Sequence, residues 1–134
     1  EAGDLRLDPA ARTVHRGDIQ EEREIATRQI AICNGRFFGG GMEVAPMAVP
    51  DDGMFDVVSL GAASRLKFAL GSLSIYSGKH VDKPEVEVFR CDRIDIRLRN
   101  EDIRDIFPLD VDGEPLGTLP LSIELMPGAV EVYG

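Results

Sequence analysis

Apolar and polar positions alternate with a period of two along most of this chain, and turn dipeptides separate the runs. Ile94, Ile96 and Leu98 alternate with Asp95, Arg97 and Arg99, the pattern of a half-buried antiparallel strand. Glu85 to Arg90 places Val86 and Val88 on one face. Phe55 to Leu60, with Val57 and Val58, reads as a buried strand opened by Asp52-Gly53. Ile25 to Cys33 leads into Asn34-Gly35, a pair that tolerates positive φ and so suits a tight turn. Leu5–Asp8 and Thr13–His15 flank Pro9-Ala10-Ala11 as a short hairpin. Ile106 to Val111 runs into Asp112-Gly113; Leu121, Ile123 and Leu125 alternate up to Pro127-Gly128, and Val130 and Val132 form a returning run.

One stretch changes period. Leu66, Ala69, Leu70, Leu73 and Tyr76 recur at helical spacing, which predicts a helix over about 65–77. Ser64 caps its first amides, and Gly78 takes the left-handed position that ends it. Seven or more short strands with one packed α-helix predict a mostly β chain, an antiparallel β-sandwich or else a barrel, as a single domain over 1–134.

Charge and composition remove several functions. The net charge is −9 over 134 residues, so the basic footprint of a nucleic-acid binder is missing, as is a polybasic membrane anchor. No apolar run approaches the roughly 20 residues of a membrane span; the longest, Leu66 to Tyr76, is interrupted by Lys67, Gly71, Ser72 and Ser74. The first residues are rich in Arg, Asp and Glu, unlike a signal peptide. Cys33 and Cys91 stand alone, which favours a reducing, cytoplasmic compartment. The chain opens at Glu1 and not at a methionine, as a processed product or an excerpt from a longer protein would.

Three stretches can carry chemistry. Asn34 to Pro46 contains Gly39-Gly40-Gly41, but neither the P-loop spacing nor the dinucleotide fingerprint. Its plainer reading is a wide loop with Phe37 and Phe38 anchoring it to the core. In Asp51-Asp52-Gly53-Met54-Phe55-Asp56, carboxylates beside a glycine turn suit a hard cation; the competing reading is a hairpin turn with solvated acids. Glu114, just past Asp112-Gly113, is placed either as a general base or as an exposed hairpin acid. His15 and His80 have no zinc-spaced partners. No G-x-S-x-G elbow is present.

The order of these stretches resembles one family. Cys33-Asn34-Gly35-Arg36-Phe37-Phe38-Gly39-Gly40-Gly41-Met42, then Ala45-Pro46, Ala48 and Asp52-Gly53-Met54-Phe55-Asp56-Val57-Val58, looks like the second-domain signature of bacterial diacylglycerol kinases and their sphingosine-kinase-like relatives. Gly78-Lys79-His80, Asp112-Gly113-Glu114, Pro120, Pro127-Gly128-Ala129 and Val132 extend the likeness. The resemblance implies an ATP-dependent lipid kinase whose N-terminal nucleotide-binding domain, with its G-G-D-G-T loop, is absent from this sequence. The resemblance makes Glu114 the proton acceptor. It makes Asp52 and the carbonyls of Val49 and Met54 the ligands of a structural Mg2+, with waters completing the shell. Relatives often carry a basic residue shortly before the Asp-Gly, where this chain has Ala48-Val49-Pro50-Asp51. The implied partners are the nucleotide-binding domain, a lipid substrate and, transiently, the inner face of the membrane; a homodimer is compatible. A non-catalytic lipid-binding or interaction module and an NAD-kinase-like domain are the rival readings.

Overall fold

The computed structural model describes residues 10–16, 19–25, 27–61, 72–99, 102 and 108–133. Antiparallel strands dominate. β1 (Ala10–Arg16), β2 (Ile19–Ile25), β8 (Arg93–Leu98) and β11 (Leu121–Glu124) form a four-stranded sheet in the order β11-β8-β1-β2. β3 (Thr27–Cys33), β6 (Phe55–Gly61) and β7 (Val86–Cys91) form a three-stranded sheet with β6 in the centre. Two short ribbons complete the set, β4 (Phe37–Phe38) with β5 (Met42–Glu43), and β9 (Pro108–Val111) with β10 (Glu114–Thr118).

The two larger sheets pack face to face. Ile94, Ile96 and Leu98 of β8 are buried together with Val57 of β6 and Cys91 of β7. Ile30, Ile32, Phe55, Phe89, Leu121 and Ile123 pack around them. Each fully buried Val or Ile contributes about 1.5–3 kcal/mol of apolar transfer, so this seam is the main source of stability. The three-stranded sheet also buries its other face. Val58, Leu60, Ala31, Cys33, Val86 and Val88 lie beneath Ala45, Met47 and Ala48 of the glycine-rich loop. Central β6 is therefore covered on both sides, which is why Val57 and Val58 follow one another in sequence.

A bulge opens β3, where the register shifts between Thr27 and Gln29. The buried Thr27 hydroxyl lies 2.8 Å from Gln29 O and 2.9 Å from Leu60 O, and accepts from Ser59 Oγ at 2.9 Å. At the far end of β6, the Gly61 amide donates to Glu85 O at 2.8 Å. A Cβ on Gly61 would stand 2.6 Å from that same oxygen, so only glycine permits the approach.

Several expectations are displaced. Ala10 and Ala11 lie inside β1, paired with Ile25 and Glu24 of β2, so they are not a turn. β1 is held on both edges, by β2 and β8, and two ladders outweigh a local turn preference. Leu5–Asp8 lies outside the described residues. Gly35 is not among the glycines of positive φ, and Asn34-Gly35 joins no hairpin, because β3 pairs with β6 across the sheet. Residues 65–71 of the expected helix are also outside the described set. Its remainder, Ser72–Ser77, is a 3-10 segment with Leu73 and Tyr76 exposed, not an α-helix with a buried stripe. Serine side chains bond their own backbone and disfavour a helix interior, as Ser77 Oγ does in donating to Ser74 O at 3.1 Å. Gly78 does turn left-handed, with φ 68°. Val130 and Val132 form no strand and are exposed.

Candidate functional site

β6 and β7 set Asp56 directly opposite Arg90, and β3 sets Cys33 opposite Asp56 from the other side. The three residues form one row on the face covered by the glycine-rich loop. Asp56 is fully buried. Arg90 Nε stands 3.1 Å from Asp56 Oδ1, yet neither Asp56 oxygen receives a directed hydrogen bond. Burial pushes the Asp56 carboxyl above its ordinary range, Arg90 pulls it back, and the nearby Asp52 charge pushes it up again.

The same guanidinium reaches the turn that precedes β6. Arg90 Nη2 pairs with Asp52 Oδ2, while Asp52 Oδ1 accepts the Met54 amide at 3.0 Å. The turn is closed by the Asp52 amide donating to Val49 O at 3.4 Å, and Gly53 adopts φ 75°. Asp52 and Asp56 thus share one cation. Among the acids of this turn, Asp52 is paired and not simply solvated.

The glycine-rich loop is fastened through its backbone carbonyls, which accept from one amide and two side chains. The Ala45 amide donates to Arg36 O at 3.2 Å, and Arg36 Nε donates to Ala48 O at 3.4 Å. Buried His80 donates from Nε2 to Val44 O at 2.8 Å, which fixes its tautomer and makes it a structural clasp. Phe37 and Phe38 do not anchor the loop. They are 66% and 49% exposed on the small β4–β5 ribbon, and Ala45 and Ala48 fill the core position instead. Small side chains suit it because the loop backbone lies close to Val58.

Glu114 lies apart from the Asp52 turn, on the separate β9–β10 ribbon. The turn before it is Asp112-Gly113, with φ 53° and 88°, the paired positive values of a two-residue hairpin. The Gly113 amide donates to Asp110 Oδ1 at 2.9 Å. Glu114 is exposed at the start of β10, paired across the ladder with Val111.

Among the described residues no three His, Cys, Asp or Glu side chains converge on a metal position. The Val49–Met54 turn instead offers one carboxylate and main-chain carbonyls, hard oxygen donors of the kind Mg2+ accepts alongside water. The donor-poor buried carboxylate of Asp56, tied to the turn through Arg90, also fits a neighbouring cation. Val49, Asp52 and Met54 are therefore chemically suited to such an ion, although Asp52 already has a cationic partner. Arg90 itself escaped the sequence reading. Its signal was an acid, Asp56, at an inward position of a mostly apolar strand.

Comparison with known proteins identifies the family. Residues 6–134 match the family described as the YegS C-terminal NAD kinase beta sandwich-like domain. The chain belongs to this family. Within the YegS C-terminal family, it is 34% identical over 111 residues to a "Probable lipid kinase YegS-like" protein of Pseudomonas savastanoi pv. phaseolicola, covering 78% of this chain and 32% of that one. It is 28% identical to a "Diacylglycerol kinase" of Mycobacterium tuberculosis, over 74% of this chain and 30% of the other. The chain thus spans about a third of the length of these curated relatives. A diacylglycerol kinase structure from Bacillus anthracis strain Sterne superimposes with a TM-score of 0.54 at 16% identity, over 91% of this chain and 41% of that one. A second solved chain from that strain gives a TM-score of 0.62 at 21% identity, over 90% and 36% respectively. These structures share the fold of the YegS C-terminal family domain.

Proposed function

We propose that this chain is the C-terminal lobe of an ATP-dependent lipid kinase, in which Glu114 is the general base and the Val49–Met54 turn carries a structural Mg2+. The observation that supports this most is the family match across residues 6–134, which takes in both the Asp112-Gly113-Glu114 turn and the Asp52-Gly53 turn.

In this reading a lipid hydroxyl gives its proton to the Glu114 carboxylate. The hydroxyl oxygen forms a bond to the γ-phosphorus of ATP, and the bond from that phosphorus to the bridging oxygen breaks, releasing ADP. Positioning and charge neutralisation supply most of the rate in such transfers. ATP is held by the partner nucleotide-binding lobe. Glu114 suits the role because a two-residue turn presents its side chain to solvent, where a second lobe and a lipid can meet it. Val111 and Leu116 are exposed on the same ribbon and offer apolar contact to acyl tails. When bound, a structural Mg2+ would supply charge neutralisation to the turn. Asp52 and the carbonyls of Val49 and Met54 would hold it, and the turn would in consequence hold the start of β6. The work takes place at the cytoplasmic face of a membrane.

Transfer of radiolabelled phosphate from ATP to diacylglycerol, sphingosine and phosphatidylglycerol tests the proposal. The chain alone is expected to be inactive, and the chain joined to a nucleotide-binding lobe active on one of the lipids. Absence of labelled lipid from a folded, joined protein would transfer the case to a non-catalytic lipid-binding module.

A further inference from the structure

One basic side chain holds two acids at the start of β6. Arg90 pairs through Nη2 with Asp52 Oδ2 and stands with Nε 3.1 Å from Asp56 Oδ1. Both oxygens of Asp52 are engaged, since the Met54 amide takes Oδ1 at 3.0 Å. Asp56 is fully buried and receives no directed hydrogen bond. The three side chains together carry one negative charge in excess. Buried carboxylates with incomplete partners are costly, so such a cluster attracts a further cation.

That cation and Arg90 draw on the same carboxylate. Both Asp52 oxygens are already engaged, so a divalent ion on the Val49 and Met54 carbonyls shares Asp52 with the guanidinium, and each positive partner weakens the hold of the other. The planar fork of arginine suits the standing arrangement, because two of its nitrogens reach two different carboxylates at once.

We propose that Arg90 is a resident counter-cation that competes with the divalent ion for Asp52 and thereby sets the ion affinity of the Val49–Met54 turn. Arg90 keeps the turn closed when the ion is absent, and loosens its hold on Asp52 when the ion arrives while keeping Asp56. The turn then divides Asp52 between two positive partners. This inference rests on the reading of the turn as a divalent-ion site.

The test is a titration of this chain with Mn2+, counted by the EPR signal of the free ion and repeated with Mg2+ as competitor. Circular dichroism confirms the fold of each variant. Arg90→Gln is expected to bind Mn2+ about three- to tenfold more tightly than the parent chain. Arg93→Gln removes an equal charge from a side chain that lies 3.6 Å from Asp95 and outside the cluster, and is expected to leave the affinity unchanged. Should Arg90→Gln fail to fold, Arg90→Lys keeps a cation beside Asp56 but cannot fork to both acids, and is expected to tighten binding by a smaller factor. Mn2+ binding that is lost in Asp52→Asn but unchanged in the Arg90 variants would overturn the competition and leave the ion site standing. Equal tightening by Arg93→Gln would also overturn it, in favour of general charge. Absence of Mn2+ binding in the parent and every variant would overturn the ion site and the competition with it.

Discussion

Asp56 and Arg90 face each other across the β6–β7 ladder, and the contact between them joins a fully buried acid to a side chain that is 40% exposed. The pair is asymmetric. The acid has no access to water, whereas the base reaches solvent and the Asp52 turn.

Removing the base should therefore cost more than an ordinary surface ion pair. Arg90→Leu leaves a buried carboxylate without its counter-charge, and urea denaturation at pH 7 without divalent ions is expected to show a loss of roughly 2–3 kcal/mol. Adding Asp56→Asn in the same background is expected to restore much of that loss, because the uncompensated charge is then gone. A loss under about 0.5 kcal/mol for the single variant would place the pair in the class of solvent-screened contacts.

Cys33, beside Asp56 in the next strand, should resist ionisation. Burial, and then the Asp56 charge, push its thiol up to about 11. Below pH 9 the thiol is protonated whether the chain is folded or not, so it costs nothing. From pH 9 upward the unfolded thiol ionises while the folded one does not, and stability falls until the pH passes about 11. Cys33→Ala is expected to lose that part of the alkaline slope. Alkylation by iodoacetamide at pH 8 is expected to be roughly a hundredfold slower at Cys33 than at a free cysteine, as read by mass spectrometry of the labelled peptide.

Gly61 is constrained by space and not by φ. An added Cβ meets the Glu85 carbonyl at 2.6 Å, where the Gly61 amide donates its own hydrogen bond. Gly61→Ala is expected to lower stability by about 1–3 kcal/mol in thermal or chemical unfolding, because the β6 end and the segment before β7 must separate. Gly40→Ala, with nothing within 4 Å of the added carbon, serves as the control and should be nearly neutral.

Glu114 is expected to separate folding from transfer. Its side chain is exposed and begins a ribbon outside the two larger sheets, so Glu114→Gln should leave the unfolding curve within about 0.5 kcal/mol of the parent. In the chain joined to a nucleotide-binding lobe, the same change is expected to abolish phosphate transfer to lipid. Retained turnover would remove Glu114 from the base role.

Much of this architecture was written in short-range pattern. β8 declared itself by strict alternation at Ile94, Ile96 and Leu98, and Asp112-Gly113 by a dipeptide that tolerates positive φ at both positions. What the pattern missed depends on contacts distant in sequence. Phe37 and Phe38 read as core residues because they are large and apolar, but the space over Val58 is narrow and alanines occupy it. The Ser72–Ser77 stretch had helical spacing in its apolar residues, and the intervening serines undid it. The kinship of Asp52, Asp56 and Arg90 could not be read locally, since Arg90 lies 38 positions from Asp52 and meets it only after β6 and β7 align. Glu114 was visible as a position after a turn. Its assignment to a reaction came from the likeness to a family.

The β9–β10 ribbon divides its work along its length. At its base, Leu109 of β9 packs into the main core and buried Leu119 follows the end of β10, while Asp112, Gly113, Glu114 and Leu116 are exposed toward the tip. It behaves as a cantilever, clamped where the fold is decided and free where chemistry would occur. Residues at the tip can drift over generations without placing the clamp at risk. Changes at Val111 or Leu116 can therefore alter what the exposed tip touches, with the sandwich itself left as it was.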